Sequence, residues 1–520
     1  MKLKLLLTIF IISVSLYAQE GAQKPGHTPL RKLQLAEFAI SNLYVEKVDE
    51  EKLVEDAIKG MLEKLDPHSA YSNAEEVKRM NEPLQGNFEG IGVQFNIVED
   101  TLFIIKPVTG GPSEKCGILA GDRIVTVNDT TIAGVKMSRE EIMKRLRGPK
   151  GTHVKLGISR KGFTELLYFD VIRDKIPLHT LDAAYLIRKK IGYIRISSFG
   201  ATTSDELKEA LTSLKKQGMK DLILDLSGNG GGYLNAAVEV ANQFLNPGEL
   251  IVYTEGLRST RQEFKAEGDG LLRKGSVVVL IDEYSASASE IVAGALQDWD
   301  RGWVVGRRSF GKGLVQRPIM LTDGSMIRLT VSRYYTPSGR CIQKPYNNKK
   351  EYERDIVSRF KKGELIHADS IHFPDSLKYR TLRKERVVYG GGGIMPDYFI
   401  PLDTTRYGKY HRDLAAKGII IQASLRYIDD NRDELKRLYP SFDTFNIQFE
   451  VPQQLFDSLV KQGEAVGIKY DETSYNESLP MLRHQLKALI ARDLWDMNEY
   501  FRIINETDPA IQKAVELLLN

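Results

Sequence analysis

The order of apolar and polar positions first indicates helices near the start of the chain. Apolar residues recur three and four apart within residues 35–43 and 52–62, which is the spacing of a helix with one buried face. Asp66-Pro67 follows and is typical of a helix end. We therefore predict an N-terminal helical region over residues 30–85.

Between residues 86 and 173 the pattern changes to short apolar runs separated by turns. The predicted order is strand, strand, Gly-Asp turn, strand, helix, strand, from residues 90–95, 102–107, 118–128, 138–146 and 153–159. This order resembles a PDZ domain, a small β-sandwich or barrel module. In that family a glycine-containing loop binds a free C-terminal carboxylate, and a strand edge pairs with the peptide. The matching residues are Gly90, Ile91, Gly92 and Val93; a plain β-turn without a ligand is the alternative.

Residues 177–401 alternate apolar runs typical of strands with segments of helical spacing. The predicted strands are 191–196, 222–226, 276–281 and 302–306, and the predicted helices are 204–217, 234–244 and 288–299. Repeated strand-helix units favour a sheet of parallel strands covered by helices. Ligands of such sheets bind where strands end in loops.

The remainder of the chain completes an α+β multidomain fold: N-terminal helices, the PDZ-like module, an α/β core and a helical C-terminal region. Residues 343–388 lack strong periodicity and are interpreted as a surface excursion that borders the core's cleft. Residues 402–520 are again helical in spacing, at 418–438, 453–467 and 479–504. Packing on the core, forming a homo-oligomer and recruiting an adaptor protein remain open as roles for this region.

Charge and cysteine content restrict the function classes. The 73 basic and 69 acidic residues give a net charge of +4 without a basic block, so nucleic acid is not an expected partner. Cys116 and Cys341 lie far apart in sequence and have no neighbouring histidine. A single disulfide or two free thiols both fit this pattern, and we predict free thiols.

The first eighteen residues are typical of a signal peptide. Lys2 and Lys4 precede an apolar run, and Ala18 supplies a small residue for cleavage. The run is shorter than the roughly 20 residues of a spanning helix, although an uncleaved anchor is the alternative. We therefore predict residues 1–18 to be removed, leaving an exported protein of the periplasm or cell envelope without a membrane span.

Ser287 occupies a place where a nucleophile is expected. It follows the predicted strand 276–281 and precedes the predicted helix 288–299, so the first free helix amide, that of Ala288, can donate to a developing oxyanion. A serine that only caps the helix is the alternative. A second loop, Ser227-Gly-Asn-Gly-Gly-Gly232, presents glycine amides that suit an oxyanion, from either Gly231 or Gly232. A dinucleotide phosphate fits that loop less well.

Lys312, in Phe310-Gly-Lys-Gly313, supplies a candidate base. A lysine takes a proton at neutral pH only when its amine is uncharged, so its pKa of about 10.4 must fall by roughly three units through burial. The flanking glycines allow close backbone packing, and Phe310, Leu314 and Val315 supply apolar walls. A solvated surface lysine is the alternative.

The histidines give no clear alternative chemistry. Of the eight, only His367 and His372 are close in sequence, and this pair alone does not indicate a zinc site. The sequence leaves open a histidine brought to Ser287 by folding. No metal and no organic cofactor is expected.

Six motifs in a fixed order identify a family. They are 65–69 (Leu-Asp-Pro-His-Ser), 225–232, 285–291, 310–316, 333–339 (Arg-Tyr-Tyr-Thr-Pro-Ser-Gly) and 393–397 (Gly-Ile-Met-Pro-Asp). Together they resemble the carboxyl-terminal processing peptidases over residues 35–401, with the PDZ-like module in the expected place. One difference is Asp225-Leu-Ser227, where the family usually has Asp-Leu-Arg.

The resemblance implies a Ser/Lys dyad, with Ser287 as nucleophile, Lys312 as general base and Gln316 as the residue that orients the lysine. It implies an oxyanion hole from Ala288 and either Gly232 or Gly231. The expected activity is that of an exported serine endopeptidase that cleaves proteins near their free C-termini, which the PDZ-like module binds. A catalytically silent scaffold of the cell envelope is the alternative.

Overall fold

The computed structural model describes residues 28–519, so the predicted signal peptide lies outside the described residues. The chain divides into two units. The N-terminal unit contains the described residues up to Ala74 together with Gln316–Thr330, and the main unit contains Glu75–Val315 and Val331–Asn520.

The N-terminal unit contains the two predicted helices. They are α1, Pro29–Leu43, and α2, Glu50–Leu62, followed by the short strand β1, Ala70–Ser72. Asp49 caps α2 because its carboxylate accepts a hydrogen bond from the Lys52 amide. Strand β1 pairs antiparallel with residues 326–328 of a later strand, so this unit joins two distant parts of the sequence.

The main unit begins with the PDZ-like module, in which six strands form one sheet: five follow the order β3-β4-β5-β7-β8, and β6 pairs with β5. Strands β2 and β9 pair antiparallel where the chain enters and leaves the module. The elements are α3 Ala74–Gln85, β2 Asn87–Gly90, β3 Val93–Val98, β4 Thr101–Pro107, α4 Pro112–Lys115, β5 Arg123–Val127, β6 Thr130–Thr131, α5 Arg139–Leu146, β7 His153–Ser159, β8 Leu167–Ile172 and β9 Asp174–Pro177.

The prediction of one strand over residues 90–95 is wrong. Strand β2 ends at Gly90 and β3 begins at Val93, because Gly92 has a φ of +72°, in the region that glycine favours. Ser113 fixes this bend, since its amide and its Oγ both donate to the Ile91 carbonyl, at 3.1 and 2.6 Å. A bent loop therefore precedes the edge strand β3.

The core contains a six-stranded sheet in the order β10-β11-β12-β15-β16-β21, in which β21 is Tyr398–Phe399. Strand β10 is antiparallel to β11, and the other neighbours pair in parallel, so the prediction of adjacent parallel strands is confirmed. The elements up to residue 335 are β10 Leu181–Arg188, β11 Ile191–Ile196, α6 Thr203–Lys216, β12 Asp221–Asp225, α7 Leu234–Asn242, β13 Leu250–Gly256, β14 Ser259–Lys265, β15 Val277–Ile281, α8 Ala288–Asp298, β16 Trp303–Gly306, β17 Leu314–Met320 and β18 Met326–Tyr335.

Both faces of this sheet are buried, as the continuous apolar strands require. In β15, Val277 and Val279 face a cluster with Leu211, Val240 and Val292 from α6, α7 and α8. The alternate residues of β15 face a second cluster that contains Ile511, Ala514 and Val515. The C-terminal end of the chain therefore covers the second face of the core sheet.

Residues 343–388 are not only a surface excursion, and that interpretation needs correction. They form α9 Lys349–Glu353, α10 Asp355–Lys361, β19 Lys378–Arg380 and β20 Val387–Tyr389, before β21 Tyr398–Phe399. Tyr352, Arg359 and Leu365 are buried within this segment. The sequence pattern did not predict this packing. The segment is rich in basic and aromatic residues, and its buried cations do not recur at the spacing of apolar residues in a helix or strand.

The C-terminal region is helical, as predicted, and its elements are α11 Lys409–Ala416, α12 Ile419–Leu438, α13 Phe442–Gln448, α14 Gln453–Ala465, α15 Glu472–Leu494, α16 Met497–Ile504 and α17 Pro509–Leu519. The prediction of one helix over 479–504 is wrong, because α15 ends before Trp495 and Asp496 begins α16 by accepting from the Met497 amide. Throughout residues 28–519, no helix combines the length and apolar character needed to cross a bilayer.

Four ion pairs connect the helical region with the PDZ-like module. Asp429 of α12 approaches Gly121 so closely that an added Cβ there would lie 3.1 Å from its Oδ1. The pairs are Arg123–Asp429 at 2.5 Å, Arg426–Glu99 at 2.6 Å, Lys106–Asp496 at 3.1 Å and Lys161–Asp430 at 3.6 Å.

Candidate active site

Ser287 lies at the sharp turn between β15 and α8. Its φ and ψ of 55° and −110° fall in a strained region that side chains rarely occupy. A hydrogen bond to the end of β12 fixes the turn, since the Ser285 Oγ donates to the Leu226 carbonyl at 2.8 Å. The neighbouring Ser289 does not cap the helix, because its Oγ donates to the Asn229 carbonyl at 2.8 Å. Ser287 is thus the partly exposed serine of this turn.

Glu290 connects the Ser287 turn with the Lys312 loop. Its carboxylate is fully buried, and one oxygen, Oε2, accepts from the backbone amides of Ser287 and Lys312 at 2.7 and 2.9 Å. The other, Oε1, accepts from the Gly311 amide at 2.7 Å and from the Ser309 Oγ at 2.5 Å. The backbone nitrogens of Ser287 and Lys312 therefore lie within two hydrogen-bond lengths of each other.

Burial raises the pKa of the Glu290 carboxyl, and these hydrogen bonds oppose that rise. The sequence motifs did not indicate a role for Glu290. The available signal was its position three residues after Ser287, where a serine and a glutamate form the pattern of a capping box.

The Lys312 loop packs as closely as its glycines allow. A Cβ on Gly311, whose φ is +89°, would lie 3.1 Å from the Gly393 amide nitrogen, and a Cβ on Gly313 would lie 2.8 Å from the Gln343 amide nitrogen. Leu314 is buried beside the loop, and the Lys312 residue itself is half-buried. The prediction of close packing around this lysine is confirmed.

The glycine turn lies directly against Ser287. A Cβ on Gly231 would lie 2.8 Å from the Ser287 Cβ and 3.0 Å from the Ala288 nitrogen. The Gly231 amide already donates to the Asn229 Oδ1 at 2.8 Å. Among the described residues no acceptor pairs with the amide of Gly232 or with that of Ala288. These two amides, and not that of Gly231, remain available to a ligand beside Ser287.

Substituting Gly231 tests this close approach. Gly231→Ala should destabilise the fold by about 1–3 kcal/mol and sharply lower activity, because its φ is +102° and its new Cβ would push against Ser287. Gly230 is the matched control, since a Cβ there has no heavy atom within 4 Å. Thermal unfolding and peptide-cleavage rates measure both effects. Equal stability and equal activity of Gly231→Ala and Gly230→Ala would contradict the close approach of Gly231 to Ser287.

The Asp-Leu-Ser difference from the family pattern has a structural counterpart. Arg195, on the neighbouring strand β11, donates to the Asp225 carboxylate at 2.5 Å and to the Ser227 carbonyl at 2.8 Å. The Tyr193 hydroxyl donates to the same carboxylate at 2.6 Å. A guanidinium therefore holds the start of the glycine turn, although it comes from another strand.

Gln316 lies in the N-terminal unit. Its Nε2 donates to the Thr330 Oγ1 at 3.3 Å, and that hydroxyl donates to the Asp66 Oδ1 at 3.0 Å. Burial opposes ionisation of Asp66, but hydrogen bonds from Ser69, the His68 amide and Thr330 hold its pKa below the usual value. The 65–69 motif thus fixes a polar chain that ends at Gln316.

The PDZ fold places three of the four predicted peptide-binding residues in one groove. Gly90 is the exception, since it pairs with Asp174 in the β2–β9 ribbon. The groove between β3 and α5 is lined by Phe88, Ile91, Gly92, Val93, Phe95, Met143, Leu146 and Arg147. It is largely apolar and lies along the edge strand of the sheet.

Other chemistry receives little support from the described residues. Within residues 28–519 no group of three or more histidine, cysteine, aspartate or glutamate side chains is arranged to hold a metal ion. Cys116 and Cys341 are both free thiols, as predicted.

Family models match four parts of the chain. The model of peptidase family S41 matches residues 190–356, which contain Ser287, Lys312 and the glycine turn. A PDZ domain model matches residues 90–171, and a model of the activating protease CtpB N-terminal domain matches residues 12–76. Residues 410–496 match a family of unknown function.

Curated relatives carry the same description. The chain is 37% identical over 339 residues to the carboxy-terminal processing protease CtpA of Bacillus subtilis, covering 65% of this chain and 72% of that protein. It is 38% identical over 319 residues to the carboxy-terminal-processing protease of Bartonella bacilliformis, covering 60% and 73%. A solved photosystem II D1 C-terminal processing protease is 31% identical, with a TM-score of 0.35, over 60% of this chain and 84% of that one. The chain therefore belongs to the carboxy-terminal processing proteases of peptidase family S41, as a serine-type peptidase with a PDZ domain.

Proposed function

We propose that this protein is an exported endopeptidase that cleaves proteins near their free C-termini through an acyl-enzyme on Ser287, with Lys312 as general base. The observation that carries this proposal is the shared contact of Glu290 Oε2 with the Ser287 and Lys312 amides, at 2.7 and 2.9 Å. A buried carboxylate that binds both loops fixes the nucleophile turn against the lysine loop. Export rests on the signal-peptide pattern of residues 1–18.

The chemistry follows from that arrangement. The neutral Lys312 amine takes the proton of the Ser287 Oγ as this oxygen attacks the scissile carbonyl. The amides of Ala288 and Gly232 donate to the resulting oxyanion. Lys312 then gives the proton to the leaving amine, and water releases the acyl group by the same steps in reverse order. The role of Gln316 in orienting Lys312 rests on the sequence resemblance.

The PDZ groove supplies the preference for a C-terminus. The bent loop of Ile91 and Gly92 lies where backbone amides can bind a terminal carboxylate, and the edge strand β3 can pair with the residues that precede it. Protein or peptide substrates with free C-termini are the proposed partners.

Trapping the acyl-enzyme tests the chemistry. A fluorophosphonate probe should modify the wild-type protein at Ser287, identified by mass spectrometry of the labelled peptide, because the dyad makes that hydroxyl nucleophilic. Ser287→Ala should abolish both labelling and cleavage, whereas the control Ser289→Ala should keep Ser287 labelled. Labelling at another residue would refute the proposed nucleophile. Peptide binding by a wild-type protein that is neither labelled nor active would favour the scaffold alternative.

Amidating the substrate tests the assignment of the groove. A peptide with a free C-terminus should be cleaved with a lower KM than its C-terminally amidated form, because amidation removes the carboxylate that the loop binds. Identical KM values for the two peptides would show that the groove does not read the carboxylate.

A further inference from the structure

The segment that follows the Thr-Pro-Ser-Gly motif packs against the Lys312 loop. Arg359, on α10, is only 2% exposed, although no apolar pattern around it predicts this burial. Its Nη1 donates to the Ser309 carbonyl at 3.1 Å and its Nη2 to the Arg308 carbonyl at 2.5 Å. One guanidinium therefore holds two consecutive carbonyls of the chain that leads into Lys312.

These contacts continue to the active site through Ser309. Its Oγ donates to the Glu290 Oε1 at 2.5 Å and accepts from the Ile394 amide at 2.6 Å. Glu290 in turn accepts from the Ser287 and Lys312 amides. The position of Ser309 thus affects the carboxylate to which both loops are bound.

A second buried cation, Lys344, contacts the two residues that directly precede Lys312. The Lys344 amide donates to the Gly311 carbonyl at 3.0 Å. The Lys344 Nζ lies 3.7 Å from the centre of the Phe310 ring and 2.9 Å from the Asp355 Oδ2. Phe310 also meets Tyr352 edge to face, with the ring centres 5.9 Å apart. The four residues directly before Lys312, residues 308–311, are therefore all contacted by one segment.

Burying these cations is costly, since each leaves water and has incomplete compensation. Burial lowers the pKa of Lys344, even though Asp355 opposes the change. Burial also lowers the pKa of Arg359, to about 10, and the nearby Arg308 adds to this effect. The nearest carboxylate oxygens of Asp355 and Glu364 lie 3.9 and 3.8 Å from the Arg359 guanidinium. The hydrogen bonds of Arg359 go instead to backbone carbonyls of the loop.

We propose that Arg359 and Lys344 are positioning residues for Lys312: they hold residues 308–311 against Glu290 and so align the lysine amine with Ser287. This inference rests on the proposed function, in which Lys312 is the general base. It gives the 343–365 segment a role in the rate of acylation. It does not include a role for this segment in binding substrate in the PDZ groove.

Conservative loss of the buried cation tests the inference. Arg359→Met should lower kcat by about 10-fold to 100-fold, the usual effect of a small misalignment, while KM for a C-terminal peptide stays within about 2-fold. The pH midpoint of fluorophosphonate labelling should move upward, because Lys312 would sit in a looser and wetter loop. Lys344→Met should change both quantities in the same direction, and Arg359→Lys should recover part of kcat.

The matched control is Lys361→Met, which removes an exposed cation from the same helix and should match the wild type. If Arg359→Met fails to fold, as judged by circular dichroism, the result for Lys344→Met decides. Folded variants with unchanged kcat and an unchanged labelling midpoint would overturn the inference while wild-type labelling at Ser287 still supports the proposed function. Absence of wild-type labelling at Ser287 would instead refute the proposed function itself.

Discussion

Replacing Lys312 by methionine should lower kcat by about 10⁴-fold or more at neutral pH, because removal of one member of a nucleophile-base pair loses nearly all of its joint effect. The side chain keeps its length but loses the amine, so the fold and the PDZ groove should be unaffected. The measurement is kcat and KM on a peptide with a free C-terminus, together with fluorophosphonate labelling. In the proposed mechanism only an uncharged lysine amine can act as the base, so kcat and the labelling rate of the wild type should both rise with pH.

Chemical rescue sharpens this prediction. Lys312→Ala leaves space, so millimolar concentrations of a small alkylamine should restore part of the labelling rate, and restoration should increase with pH. The exposed-lysine variant Lys361→Met should need no rescue and show none. Substantial activity in Lys312→Met without an added amine would mean that another group, such as a histidine, takes the proton.

Glu290→Gln should produce the second large effect. A glutamine side chain has one acceptor oxygen where glutamate has two. At least one of the buried backbone amides of Ser287, Gly311 and Lys312 therefore loses its acceptor. Each unpaired buried donor costs about 1–3 kcal/mol, and the misplaced loops should lower kcat by about 100-fold. Thermal unfolding and kcat measure the two effects. Glu255→Gln, which alters an exposed carboxylate, is the control and should leave both unchanged.

The pH dependence of this carboxyl has opposite signs for stability and activity. Because burial raises the pKa of Glu290, its contribution to the free energy of unfolding falls as the pH rises from the ordinary glutamate pKa through the raised one. Activity should do the reverse, since only the ionised carboxylate accepts from all its donors. Activity that persists below the raised pKa in the wild type would contradict this role.

Ordered motifs predicted where the candidate site residues lie in the fold. Ser287, Lys312 and the glycine turn stand at the ends of strands or in glycine-flanked loops, where local sequence and chemistry coincide. The parallel strands were visible because they are buried on both faces and read as continuous apolar runs. The sequence could not decide whether the Gly231 or the Gly232 amide is available as an oxyanion donor. The answer depends on the Asn229 side chain, which accepts from the Gly231 amide in the folded protein.

The remaining features depend on contacts between distant residues. Arg359 and Lys344 lie in a segment whose charge is typical of a surface. The burial of Arg359 depends on the Arg308 and Ser309 carbonyls, and that of Lys344 depends on Asp355 and the Phe310 ring. Glu290 is a buried polar residue on helix α8, and the apolar spacing of that helix does not predict its contacts. The helix break at Trp495 and the bend at Gly92 also arise from local capping and packing that a periodic pattern does not contain.

The contact between the PDZ fold and helix α12 has a consequence for how this molecule responds to its surroundings. Ion pairs with exposed partners contribute at most about 1 kcal/mol each, and they weaken as the Debye length falls from about 10 Å at 0.1 M salt to about 3 Å at 1 M. Raising the ionic strength should therefore weaken this contact and allow the PDZ domain to move more freely relative to helix α12. The salt concentration of the surrounding medium would thus set how firmly helix α12 holds the PDZ domain.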